Sequence, residues 1–99
     1  RNAIQVPVSI MHTCAEAYPV LRSVAEKGNP NSVSDAGVGV LAVHAAIEGA
    51  WLNVKINAAG MENTEFYKKI EKEGMEIMQK SKSEREEIMI IVEETIGTL

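Results

Sequence analysis

Between Asp35 and Ala59 the chain reads DAGVGVLAVHAAIEGAWLNVKINAA, with no proline and only three charged residues. The pattern predicts one long helix. At ~100° per residue its charged strip is thin, made of Glu48 and Lys55 flanked by His44 and Trp51. The rest of the circumference is apolar or small. A helix of this kind belongs in the middle of a bundle, because a surface helix carries a broad polar face. This one feature demands neighbours on several sides, and 99 residues offer few of them.

The preceding segment, from about Ile4 to Lys27, places Pro7, Ile10, Cys14, Ala17, Leu21 and Val24 at alternating gaps of three and four. That is the seam of a packed helix. Pro7 is tolerated near a helix start, whereas Pro19 is expected to kink the helix or split it after Ala17. Gly28 suits a left-handed cap. Gly28-Asn29-Pro30-Asn31-Ser32 reads as a loop. Ser34 is then the expected N-cap of the long helix, with Asp35 in its first turn.

Along the long helix, Asp35, Gly39, Ala42, Ala46, Gly49, Asn53 and Asn57 share one face. Small residues in a row let another backbone approach, and polar residues mark both ends. After Gly60-Met61, with Asn63 or Thr64 a possible cap, the chain becomes dense in Glu, Lys and Arg. Phe66, Ile70, Ile77 and Met78 form one apolar stripe there. Ser83-Glu84-Arg85-Glu86 fits a capping box, so a last helix is expected to start at Ser83 and carry Ile88, Ile91, Val92 and Ile96 inward. The fold class is all-α, a long-helix bundle completed by an N-terminal half that lies outside this sequence, by another subunit, or by both.

Composition narrows the function. A net charge of −4 argues against a nucleic-acid partner. No run of ~18 apolar residues and no signal-like opening is evident, so neither a membrane partner nor secretion is expected. A single cysteine, Cys14, fits a cytoplasmic setting. His12 and Cys14 project to different sides of a helix and His44 has no ligand at i+4, so no metal site is expected. No phosphate-binding glycine loop and no nucleophile elbow is present.

Gly28-Asn29-Pro30-Asn31-Ser32-Val33-Ser34-Asp35-Ala36-Gly37-Val38, followed by Gly49-Ala50-Trp51-Leu52-Asn53-Val54-Lys55-Ile56-Asn57, resembles the formiminotetrahydrofolate cyclodeaminase family. That family includes bacterial methenyltetrahydrofolate cyclohydrolases. Val6-Pro7 and Tyr18-Pro19 fit the helix before the loop, and the resemblance runs from about Ala3 to Glu94. It implies an all-α domain about twice as long, of which residues 1–99 are the C-terminal half, assembled at least as a homodimer. It further implies a folate enzyme that closes a formimino group to methenyl-tetrahydrofolate with release of ammonia, or hydrolyses the methenyl bridge. The substrate is a tetrahydrofolate derivative, and no metal is implied.

The resemblance carries over Asp35 as a catalytic residue and Asn29, Ser34, Asn53 and Asn57 as substrate-binding residues. Carboxylates and amides can satisfy the alternating donors and acceptors of a pterin edge, and a carboxylate can move a proton. Arg22 and Lys27 are candidates to meet the glutamate tail. The plainer readings are a helix-start charge for Asp35 and bonds to neighbouring backbone for Asn53 and Asn57. A non-catalytic helical assembly module on the same scaffold is the alternative function.

Overall fold

A computed structural model describes residues 2–60 and 64–99, and among these every regular element is helical. The elements are α1 (Asn2–Ala15), α2 (Tyr18–Glu26), α3 (Pro30–Ala58) and α4 (Thr64–Gly97). They form a narrow bundle of 55 × 17 × 17 Å, with α3 packed against all three others. The break between α1 and α2 falls at Glu16-Ala17, just before Pro19, which takes a position in the first turn of α2 where its missing N–H costs little. Gly28 adopts φ +67°, the left-handed conformation a helix C-terminus favours in glycine.

Helix α3 begins earlier than its sequence suggests. Asn29, in extended conformation, is the N-cap, and its Oδ1 accepts the backbone N–H of Asn31 at 2.9 Å. Pro30 supplies the first helical residue, with φ preset for the role. The expected loop through Ser32 is therefore the first turn of the helix. Ser34 is not the cap, and Asp35 lies in the second turn. The expected cap at Asn63 lies outside the described residues.

Helix α4 runs unbroken through Ser83. The expected new start there does not occur, because no glycine or proline interrupts the backbone between Met75 and Ile96 and Ile88 and Val92 continue the buried stripe. Gly74 is the only glycine inside α4 before its last residue, and it admits the Trp51 ring: a Cβ there would lie 2.1 Å from Trp51 Cζ3.

The core is built from Val8 and Met11 of α1, Tyr18 and Ala25 of α2, the inner face of α3, and Ile70, Ile88 and Val92 of α4. On α3 the inner face includes Val33, Val40, His44, Ile47, Trp51 and Val54. His44 and Trp51 thus point into the bundle, not along a solvated strip, because α4 offers a hydroxyl to one and a glycine to the other. The opposite side of α3 lies open: Val38 is 67% exposed, Leu52 62% and Ile56 71%. Leu41 joins Met89 and Ile90 in a shallow groove of about 440 Å³ beside α4.

The row of small residues stands on this open side. Ala42, Ala46 and Gly49 are exposed, and only Gly39 is approached closely, by the Leu21 side chain. Within this chain the row does not seat another helix. By length and hydropathy α3 could cross a bilayer, contrary to the expectation of no such segment. Its inner face gives that hydrophobicity another use, in packing against α1, α2 and α4.

Candidate functional site

The sequence-derived candidates divide into two groups near opposite ends of α3. Asp35 and Asn53 are eighteen residues apart, five full helical turns, so their side chains leave the helix in the same direction about 27 Å apart. Ser34, Asp35, Asn53 and Asn57 are all exposed. Asn57 Nδ2 donates to the Asn53 carbonyl oxygen at 2.9 Å, one turn back along the helix. Asn29 is occupied in capping. Asn29, Ser34 and Asp35 lie within the cap and first two turns at one end of α3, and Asn53 with Asn57 lies toward the other. A single small ligand cannot touch both ends; an extended one lying along the helix can.

Arg22, a candidate for an anionic tail, already meets two carboxylates: its Nη2 donates to Glu84 Oε2 at 3.1 Å and Glu87 Oε1 at 3.0 Å. Hydrogen bonding to Glu84, then to Glu87, raises its pKa. Its charge ties α2 to α4. His12 pairs with Glu73 across α1 and α4, and Cys14 is half-buried against the core. Among the described residues no three His, Cys, Asp or Glu side chains converge as metal ligands.

A second constellation, which sequence reading passed over, lies inside the bundle. The Tyr18 hydroxyl bonds Ser81 Oγ, and Ser81 Oγ lies 2.8 Å from His44 Nδ1. The other ring nitrogen, Nε2, stands 3.4 Å from Glu48 Oε2, one turn along α3. Ser81 is 1% exposed and His44 7%. Burial raises the Tyr18 pKa, an effect that outweighs the opposing hydrogen bond with Ser81. The order carboxylate, imidazole, hydroxyl is that of a nucleophilic triad. Ser81 is almost fully buried and its oxygen is bonded by both Tyr18 and His44, so the arrangement can hold and pass protons but does not present a free nucleophile. His44 does have a carboxylate at i+4, Glu48, contrary to the sequence reading that gave it none; Ser81 and Tyr18 lie 37 and 26 positions from His44.

Two clefts flank Ser81. One, of about 250 Å³, lies between α1, α2 and α4 and is lined by residues including His12, Tyr18, Lys80, Ser81 and Glu84. The other, of about 170 Å³, lies between α3 and α4 beside His44, Glu48, Trp51 and Lys82.

Fold and site together define a helical-bundle chain with a polar-ended open face and a buried hydrogen-bonded chain behind it. A family model described as formiminotransferase-cyclodeaminase matches residues 1–76, and the chain belongs to that family. It is 42% identical over 66 residues to a methenyltetrahydrofolate cyclohydrolase of Methylorubrum extorquens, covering 67% of this chain and 32% of the relative. It is 30% identical over 84 residues to the formimidoyltransferase-cyclodeaminase of Rattus norvegicus, covering 85% of this chain and 16% of that protein. The Dictyostelium discoideum protein of the same name is 29% identical over 92 residues, with 93% and 17% covered. The chain thus spans about a third of the length of the cyclohydrolase and about a sixth of the length of the cyclodeaminases.

Proposed function

We propose that this chain is part of a folate-dependent one-carbon enzyme that acts at the methenyl carbon of tetrahydrofolate. The observation that carries the reading is the family match, whose relatives are named for the two reactions in which that carbon is formed or hydrolysed. Both reactions have methenyl-tetrahydrofolate as product or substrate, so one binding surface serves either.

The reacting end of the folate lies at Asn29, Ser34 and Asp35. Asn29 is the N-cap and Asp35 lies in the second turn rather than the first, which leaves its exposed carboxylate without a helix-start role and available to move a proton. Asn53 and Asn57 meet a more distant part of the ligand along the same face. Arg22, bound to Glu84 and Glu87, is not the cation that meets the glutamate tail. The open side of α3 is covered by the rest of a cyclodeaminase-like domain, of which residues 1–99 form the C-terminal half, and the domain pairs at least as a dimer.

The test is Asp35→Ala in the full-length protein that carries this chain. Turnover of the folate substrate should fall by about tenfold or more, in line with loss of a general acid or base, with the thermal midpoint unchanged. Unchanged turnover with lowered stability would assign Asp35 to the scaffold instead.

A further inference from the structure

The buried chain of hydrogen bonds has a direction that its chemistry dictates. A carboxylate accepts hydrogen bonds and donates none, so Glu48 favours the proton on the His44 nitrogen that faces it, Nε2. In the neutral ring Nδ1 is then an acceptor. Ser81 must donate its O–H to Nδ1, and the Tyr18 O–H must donate to the oxygen of Ser81. Every proton in the resting chain points from the cleft beneath α1 and α2 toward α3.

A proton taken up by His44 reverses that direction. Both ring nitrogens of the imidazolium are donors, so Nδ1–H now donates to Ser81 Oγ. Ser81 turns its own proton to the Tyr18 oxygen. Tyr18 must then aim its O–H away from Ser81, into the cleft it lines with His12, Lys80 and Glu84.

We infer that Tyr18, Ser81 and His44 form a proton relay in which His44, paired with Glu48, takes up at Nδ1 a proton delivered through Tyr18 and Ser81 from an acid in the cleft between α1, α2 and α4, and returns it through the Tyr18 hydroxyl to a small basic group held in that cleft. The transfer balances. The base takes the Tyr18 proton, Tyr18 takes that of Ser81, Ser81 takes the Nδ1 proton, and His44 is left neutral with Nε2–H toward Glu48. No bond other than O–H and N–H changes, and the resting directions are restored.

The groups that set the charge at the His44 end are Glu48 on α3 and Lys82 on α4. At the Tyr18 end they are Cys14 and His12 on α1 and Lys80, Glu84 and Arg85 on α4. Tyr18 is a catalytic residue in this scheme, and Ser81 and His44 are positioning residues that act through it. His44 leaves α3 nine residues, two and a half turns, from Asp35 and so on the opposite side. The relay is therefore independent of the folate reading.

The test is nuclear magnetic resonance on the full-length protein with labelled tyrosine and histidine, the Tyr18 signal being assigned with Tyr18→Phe. Neutral His44 should carry its proton on Nε2, and the Tyr18 Cζ shift should follow the His44 titration with the same midpoint. In Ser81→Ala the two should uncouple, and Ser81→Thr, which restores a hydroxyl, should restore the coupling. The relay is rejected if neutral His44 carries its proton on Nδ1, or if His44 keeps one state wherever the protein stays folded. It is equally rejected if the Tyr18 signal ignores His44 in the parent protein or follows it unchanged in Ser81→Ala.

Discussion

The indole of Trp51 on α3 lies over Gly74 on α4 so closely that a Cβ on Gly74 would sit 2.1 Å from Cζ3 and 2.5 Å from Cε3. A methyl group there must displace a rigid buried ring. Alanine is the better helix former by about 1 kcal/mol, but overpacking a filled core costs about 1–3 kcal/mol. Gly74→Ala should therefore lower the thermal midpoint despite its gain in helix propensity. A midpoint that rises would show that Trp51 does not occupy this place.

Gly49 gives the opposite expectation. No atom lies within 4 Å of a Cβ built there. In the 99-residue chain Gly49→Ala should raise stability by about 0.5–1 kcal/mol, the usual helix-interior difference. The proposed packing of the rest of a domain on this face predicts that Gly49→Leu is destabilising in the full-length protein. Denaturation of each pair checks the two statements, and Gly49→Leu tolerated at full length would place the row of small residues in solvent.

Val38, Leu41, Leu52 and Ile56 are each close to half exposed or more on the open side of α3. Together they exceed what scattered surface apolar residues need explain. The 99-residue chain should associate at micromolar concentration in light scattering. A well-folded monomer at that concentration would contradict the account of this face.

Alkaline pH should destabilise the bundle through its tyrosines. Burial raises the pKa of Tyr18, and burial followed by Glu71 raises that of Tyr67, each from an ordinary value of 10.0. Above pH 10 the unfolded chain loses these protons while the folded chain keeps them, so stability falls as pH rises from there. Below pH 10 this contribution is fully present. The decline of the denaturation midpoint above pH 10 should be shallower in Tyr18→Phe than in the parent chain, measured relative to each protein's value at neutral pH.

Much of the fold could be read from the sequence because local chemistry fixed it. Pro19 splits the first helix, Gly28 takes a positive φ, and the unbroken apolar run after Asp35 becomes one helix. The errors arose where two local signals competed. Asn29-Pro30 and Ser34-Asp35 both look like a helix start, and proline at the first position decides for the earlier one. Ser83 has the spacing of a capping box, yet a cap forms only where the backbone leaves helical geometry, and nothing around Ser83 makes it do so. The inner face of α3 was misread because His44 and Trp51 look polar-tolerant on their own. Their partners, Ser81 and Gly74, lie 37 and 23 residues away, and periodicity within one helix carries no record of them. The candidate residues on the other face were legible as a pattern, but their division between two distant ends follows from helix length.

The most direct measurement is an assay of the purified full-length protein with formimino- and methenyl-tetrahydrofolate, following folate product and released ammonia together. The account predicts conversion of one of them: formimino-tetrahydrofolate to methenyl-tetrahydrofolate with one ammonia per turnover, or methenyl-tetrahydrofolate to its hydrolysis product with none. Failure of a well-folded full-length protein to convert either substrate or to bind a folate analogue would contradict it and leave a helical assembly module in its place.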